Sequence, residues 1–267
     1  MPEIRIGTAG WSYKDWVGPF YPKTTKPSDY LAYYTKYFDI VEVNSTFYSP
    51  LPFQTLKNWF YNTPDDFRFS IKIWQKISHK RKNVDFPEVI SEFFHRLRVL
   101  EPKIDYYLLQ LPPWLKYSEK QMNFIQNNLD LITNSTEKKI AIEFRDNSWF
   151  DENIINEIVS NKVILCTAYL QDLKPFYYKN QSSIYIRAIG DRNLTSFNKT
   201  QRSMNIMSDH LLQSVKQYMN MDNISDIFII YNNHFTGFSP MDSINLKKKL
   251  GLKYKDFNRQ KSLMDFF

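Results

Sequence analysis

Lys139-Ile-Ala-Ile-Glu-Phe-Arg-Asp-Asn-Ser-Trp149 decides how the rest of the chain is read. Its apolar core, Ile140 to Ile142, has the length of one buried strand. The strand ends in Glu143 and Arg145, then runs through Asn147 and Ser148 to Trp149. A buried strand that delivers charges and an aromatic ring at one end is the pattern of a strand feeding a site. The same order recurs along the chain: apolar run, polar or charged end, aromatic, helix.

Working outward from this stretch, strands are expected at 4–7, 40–44, 67–73 and 106–110 before it, and at 163–167, 184–188 and 227–231 after it. Helices are expected between them: 28–38 with Ser28 as N-cap, 53–62 stopped before Pro64, and 87–100 with Pro87 in its first turn. The next are 118–132 opened by Ser118 and Gln121, 151–160 capped by Asp151, 207–219 and 241–250. The stretch from Ala168 to Ser183 shows no clear helix, which makes the sixth unit the irregular one. Eight strands alternating with helices read as parallel βα units, and eight is the number that closes. The expected fold is a single (β/α)8 barrel of the TIM type, with its site at the C-terminal strand ends. An open doubly wound sheet is the alternative, but the first strand is not followed by a glycine-rich nucleotide turn.

The 267 residues are 43% hydrophobic, ample for one large core, and 17% aromatic with only 6 glycines. The barrel is expected over residues 1–252 and a short, flexible basic tail over 253–267. No apolar run approaches a membrane span of about 18 residues, and the start has no apolar signal core. The single Cys166, in the apolar run Val163-Ile-Leu-Cys, fits a buried inert thiol in a reducing compartment. These features point to a cytoplasmic protein without a membrane partner. The net charge of +7 allows attraction to phosphates, including those of nucleic acid.

If the barrel closes, one face gathers Glu42, Asn44, Lys72, His79, Gln110, Glu143, Arg145, Arg187, Asp191, Asn232 and Asn233. Glu42 and Glu143 amid Lys72, His79, Arg145 and Arg187 suit acid–base work, or hold a divalent ion such as Mg or Mn. The competing reading is a buried salt-bridge network that plugs the barrel mouth. Trp11, Tyr48, Trp74, Trp114 and Trp149 follow predicted strands, where they would stack on bases or sugars, or else cover strand–helix junctions. A basic run, Lys80-Arg-Lys82, follows His79. A zinc site lacks its ligands, with no His-x-x-x-His and no paired cysteines. Neither a Walker loop nor a Gly-x-Ser-x-Gly elbow is present.

The chain closes on Gln260-Lys-Ser-Leu263-Met-Asp-Phe266-Phe267. This Gln-x-x-aliphatic-x-x-aromatic-aromatic order resembles the PIP box that docks on the DNA sliding clamp, PCNA. Carried over by position, Gln260 enters a small polar pocket, and Leu263, Phe266 and Phe267 form an apolar plug on one helical turn. Lys253, Lys255, Arg259 and Lys261 make the approach basic. The alternative is that these residues dock on the barrel's own surface.

At Ile6-Gly-Thr-Ala-Gly-Trp-Ser-Tyr13, Val41-Glu-Val-Asn-Ser-Thr-Phe-Tyr48, Gln110-Leu-Pro-Pro113, Glu143-Phe-Arg145, Ser148-Trp149 and Tyr231-Asn-Asn233, the chain resembles the YecE-like family, domain of unknown function 72. The resemblance covers nearly all of the expected barrel. It implies a TIM-type fold and supplies no established reaction. The family is similar in structure to endonuclease IV-like and xylose isomerase-like barrels, which implies a nucleic-acid role. Two positions depart from its pattern: Ile189 stands in place of a histidine after the seventh strand, and His234 in place of an aspartate after the eighth. The histidines of a three-zinc nuclease are lacking. The function expected from all this is a clamp-recruited, metal-assisted, nuclease-like DNA-repair enzyme acting on phosphodiester linkages. The alternatives are a non-catalytic clamp-linked DNA-binding adaptor and a sugar or sugar-phosphate enzyme.

Overall fold

The computed structural model describes residues 2–80, 85–170, 172–190, 209–233 and 238–257. Eight strands, β1 (Glu3–Ala9), β2 (Ile40–Val43), β3 (Arg68–Lys72), β4 (Ile104–Gln110), β5 (Lys139–Glu143), β6 (Val163–Leu170), β7 (Ser183–Gly190) and β8 (Asp226–Tyr231), form a closed barrel in sequence order. Every neighbouring pair is parallel, β8 with β1 included. The expected α/β barrel is the observed one, and each of the eight expected strands is present with its ends moved by a few residues at most.

The barrel interior is filled by residues that recur every second position along the strands, as the pleat requires. Ile40, Tyr106, Leu108, Ala141, Ile164, Cys166, Tyr185, Phe228 and Ile230 form one buried cluster, joined by Ala9. Small residues leave room for three rings: Tyr106 meets Phe228 at 4.5 Å and Tyr185 at 5.3 Å between centroids. A larger apolar layer lies between strands and helices. Gly7 shows how tightly β1 and β2 approach, since a Cβ there would sit 2.2 Å from the Ile40 carbonyl oxygen. Tyr34 stitches the same seam. Its hydroxyl donates to the Ile40 carbonyl at 2.9 Å and accepts from the Thr8 amide at 3.0 Å.

The helices are α1 (Tyr30–Tyr34), α2 (Phe53–Tyr61), α3 (Gln75–Ser78), α4 (Phe86–Leu97), α5 (Glu119–Ser135), α6 (Glu152–Asn156), α7 (described over 209–219) and α8 (Phe238–Lys249). Three caps satisfy first-turn amides that have no intrahelical partner: Asp85 for α4, Ser118 for α5 and Asp151 for α6. Ser28 is not a cap. It lies in a 3-10 turn, Pro27–Asp29, and its hydroxyl donates to Asp29 at 3.0 Å. The helix that follows is five residues long and gives way to turns before Phe38. α8 is described from Phe238, three residues earlier than expected, and Pro240 near its start is tolerated because a missing amide proton costs nothing there. Among the described residues between β6 and β7 there is no helix. After α8 the chain runs without regular structure to Phe257, whose ring packs on Phe20 at 5.0 Å and Tyr37 at 5.8 Å. The motif from Gln260 to Phe267, with Leu263 and Phe266, lies outside the described residues, as do Arg81, Lys82, Asp191 and His234. Among the described residues no helix is long and apolar enough to cross a membrane.

Candidate functional site

The strand ends carry charge inward. Glu42, Ser70, Lys72, Glu143, Cys166, Tyr185 and Arg187 are all buried. Arg187, at 1% exposure, is spent on carboxylates. Its Nε and Nη2 donate to the two oxygens of Glu42 at 2.8 and 2.7 Å, and its Nη1 to Glu143 at 2.6 Å. The second oxygen of Glu143 pairs with Arg145 Nε. Tyr185 donates to Glu42 at 3.0 Å and lies 2.7 Å from Ser70 Oγ.

These contacts set the protonation states. Burial would push the Glu143 carboxyl up, but Arg145 and Arg187 overcome it and hold the value down at about 2. Burial raises the Tyr185 hydroxyl well above its ordinary value, and Glu42 adds to it. Burial, with Glu143 alongside, raises the Cys166 thiol in the same way. Cys166 is a closed, unreactive thiol 3.9 Å from Glu143. Glu143 is an ionised carboxylate at neutral pH and has no proton to give.

Lys72 differs from its neighbours. Its Nζ donates to Gln110 Oε1 at 2.7 Å and lies 4.2 Å from the centre of the Phe47 ring. The Gln110 amide is itself pinned, with Nε2 donating to the Leu111 carbonyl at 2.7 Å. Burial, then the positive field of Arg187, lowers the ammonium to about 8, against the pull of Glu143 and Glu42. His79 packs nearly perpendicular to the Phe47 ring, 5.0 Å between centroids. Its Nδ1 is 2.8 Å from Ser78 Oγ. Burial, then Lys72 and Arg145, lowers it to about 4, so its imidazole is neutral at pH 7.

Thus three cations, Lys72, Arg145 and Arg187, share two carboxylates at the mouth. Arg145 Nη2, Asn44 Oδ1 and Asn233 Nδ2 are buried there without a hydrogen-bond partner. Such groups cost about 1–3 kcal/mol each when left unanswered. The two unanswered donors, Arg145 Nη2 and Asn233 Nδ2, suit an anion, whereas Asn44 Oδ1 suits a donor, and the carboxylates are poorly placed for a metal. Glu42 and Glu143 are already taken by guanidinium groups, and among the described residues no group of three or more His, Cys, Asp or Glu side chains is placed to hold an ion. A Mg or Mn ion on the two glutamates would have to displace Arg187. Arg187 in turn has no free face for a phosphate; only Arg145 and Lys72 of the expected phosphate contacts have capacity left.

The aromatic residues divide. Trp149 is fully buried, stacked on Phe144 at 4.5 Å, with its indole nitrogen donating to the Leu115 carbonyl at 2.7 Å. Trp74 is 4% exposed and packs on Phe93. Both cover strand–helix junctions and present no face for stacking. Trp11 is half-buried against Trp59, whereas Tyr48 and Trp114 are 73% and 56% exposed. Asn232 is half-buried, its amide donating to the Ala188 carbonyl at 2.8 Å. Tyr185 and Ser70 carry no charge that singles them out in the sequence, although each lies two residues before an inward-facing charge and shares its face. Phe47 had no such signal, because it lies on a 3-10 turn, Ser45–Phe47, beyond β2.

The chain matches the model of the family described as "Protein of unknown function DUF72" over residues 5–264. It is 24% identical over 282 residues to the UPF0759 protein YunF of Bacillus subtilis, covering 94% of this chain and 96% of that one. It is 36% identical over 110 residues to the UPF0759 protein YecE of Escherichia coli K12, covering 41% of this chain and 38% of that one. A crystal structure of a DUF72 family protein from Thermotoga maritima superposes with a TM-score of 0.76 at 24% identity, covering 93% of this chain and 99% of that one.

Proposed function

The chain belongs to the DUF72 family, and from that premise we propose that its barrel mouth binds a phosphate-bearing strand of DNA and that its tail recruits it to a sliding clamp. The observation that carries the first half is Arg145. Its guanidinium is anchored on one edge by Glu143, while Nη2 is buried with no partner. Lys72 lies within its field and brings the surplus positive charge of the cluster. A phosphate oxygen would answer the open Arg145 nitrogen, in a field to which Lys72 adds. Glu42 and Glu143 hold the arginines in place rather than receiving a metal, so the chemistry proposed here is not the metal-assisted hydrolysis expected from the carboxylate pair alone.

The second half rests on the sequence Gln260 to Phe267 and its basic approach. Phe257 is packed on the barrel only three residues before Gln260, so a clamp docked there would be held close to the barrel. The test has two arms. Fluorescence anisotropy with a single-stranded oligonucleotide is expected to show salt-dependent binding that falls at least tenfold in Arg145→Gln. Titration with a sliding clamp is expected to show binding by the full chain and none after truncation before Gln260. Equal oligonucleotide affinity of the two proteins removes the first half, and equal clamp affinity removes the second.

A further inference from the structure

Among the buried lysines the chain offers its own controls. Lys103 Nζ donates to four oxygens, the carbonyls of Phe60, Thr63 and Pro64 and the Thr63 hydroxyl, at 2.7–3.2 Å. It closes the end of α2 and is a structural cation. Lys247 faces the Asp39 carboxylate at 3.6 Å. Lys72 is buried too, yet it has neither arrangement. Among the described residues its one hydrogen-bond acceptor is a neutral amide, and the nearby carboxylates belong to Arg187 and Arg145. The other side of its Nζ meets the face of Phe47. It stands at the C-terminal end of β3, on the barrel face where sites of this fold lie.

We propose that Lys72 is the nucleophile of this site, forming an imine with the carbonyl carbon of an aldehyde that carries a neighbouring phosphate, the phosphate being received by Arg145. The inference rests on the reading of the mouth as a phosphate site. An amine can attack only as the free base, so a catalytic lysine needs surroundings that do not hold its proton. A buried position in the field of two guanidinium groups, with a neutral amide as its acceptor among the described residues, supplies them. The lowered ammonium, at about 8, agrees with this geometry. In the step itself the nitrogen lone pair forms the C–N bond. The carbonyl oxygen leaves as water with the two amine hydrogens, and no oxidant or reductant is consumed. Two substrates share this chemistry: a free aldehyde phosphate of a short sugar, and the ring-opened sugar of an abasic site in a DNA strand.

Borohydride converts such an imine to a stable secondary amine, so the adduct can be weighed and mapped. The full chain is incubated with sodium cyanoborohydride and, in separate arms, glyceraldehyde 3-phosphate, unphosphorylated glyceraldehyde, and an oligonucleotide with one abasic site. The expected result is one dominant adduct on Lys72, formed at least tenfold faster with a phosphate-bearing aldehyde than with glyceraldehyde. The adduct is lost in Lys72→Met, and Arg145→Gln slows only the phosphorylated arms. Adducts scattered over surface lysines, at rates equal in the wild type and Lys72→Met, overturn the proposal. Labelling of Lys72 by glyceraldehyde 3-phosphate but not by the abasic strand supports the imine and overturns the DNA reading of the mouth. Tight oligonucleotide binding with no adduct in any arm does the reverse.

Discussion

The two ends of the barrel are built from the same kinds of residue and solve different problems. At the N-terminal pole Asp226 is saturated. It accepts from Tyr106 at one oxygen, and at the other from Ser183 at 2.8 Å, Lys139 at 3.0 Å and Ser225 at 2.5 Å. Burial alone would raise its carboxyl, but these hydrogen bonds and Lys139 outweigh it and lower the value. At the C-terminal mouth both Glu42 oxygens and one Glu143 oxygen are hydrogen-bonded, the other Glu143 oxygen meets Arg145 only as an ion pair, and the cations exceed the carboxylates. Lys72 has one neutral partner, and Arg145 keeps an unanswered nitrogen. A polar cluster that only stabilises has no reason to stop short of satisfaction. One buried oxygen of Asp39, before β2, is also without a hydrogen bond, but it faces Lys247 as an ion pair, whereas Arg145 Nη2 at the mouth faces no such partner among the described residues; the mouth is thus the candidate face, the end where barrels of this type carry their sites.

The largest effect is expected where the mouth most resembles the pole, in its floor. Arg187→Ala leaves Glu42 and Glu143 buried without their shared partner. Urea unfolding is expected to show a loss of about 3–5 kcal/mol. Replacing all three together, Glu42→Gln, Glu143→Gln and Arg187→Met, is expected to recover much of it, because the cost is the stranded charge rather than the volume. A triple variant as unstable as the single one would show that the floor depends on shape instead.

Asp226→Ala tests the pole. It strands the Tyr106 hydroxyl and two serines, and stability is expected to fall by about 2 kcal/mol, with oligonucleotide binding and adduct formation unchanged. A loss of either would mean that the two ends are coupled through the ring stack of Tyr106, Tyr185 and Phe228. The carboxyl's folded value is lowered, so its contribution is present above the unfolded value of about 3.9 and lost as pH falls through the folded one. The acid limb of the stability curve is therefore expected to flatten in the variant.

At Lys72 the sign is opposite. The ammonium drops from 10.5 to about 8 on folding. Between those values the unfolded chain holds the proton and the folded chain does not, so this group makes stability rise with pH across that window. Lys72→Met is expected to abolish the rise and to gain on the order of 1 kcal/mol at pH 7, while losing the adduct. Lys103, also lowered by burial but hydrogen-bonded to four oxygens, is the comparison: Lys103→Met is expected to destabilise by stranding those oxygens, and a loss of stability in Lys72→Met would give Lys72 the same structural role.

How much of this could be read from residues alone follows from what each reading depends on. The strands depend on local apolar runs, and all eight were legible, as was the face of the barrel that Glu42, Lys72, Gln110, Glu143, Arg145 and Arg187 share. Partner choice within that face was not. Which carboxylate meets which guanidinium depends on residues 44 and 145 positions apart in sequence, brought together by closure of the barrel. For the same reason Glu42 and Glu143 looked like free metal ligands, and Trp149 like a stacking surface. The Trp149 ring turns away from the mouth because Leu115 and Phe144 offer it a hydrogen bond and a face, and neither contact has a sequence signature.

The smallest expected effect on stability is the one that separates the mouth from ordinary surface. Tyr48 follows β2 and is 73% exposed, touching Phe47 at 5.1 Å. Tyr61, at the end of α2 on the barrel flank, is 69% exposed and serves as its control. Neither Tyr48→Ala nor Tyr61→Ala should move the unfolding midpoint by more than about 0.5 kcal/mol, since neither ring is packed away from solvent. Oligonucleotide affinity separates them. A ring that stacks on a base contributes about 1–3 kcal/mol, so Tyr48→Ala is expected to weaken binding at least fivefold and Tyr61→Ala to leave it unchanged. Phe47 joins the two halves of this argument, because the ring that touches Tyr48 also lies under the Lys72 ammonium. A strand stacked on Tyr48 would therefore lie beside the amine. If both tyrosine variants bind as the wild type does, the aromatic rim is surface, and the ligand of the mouth is one small enough to be held by Arg145 and Lys72 alone.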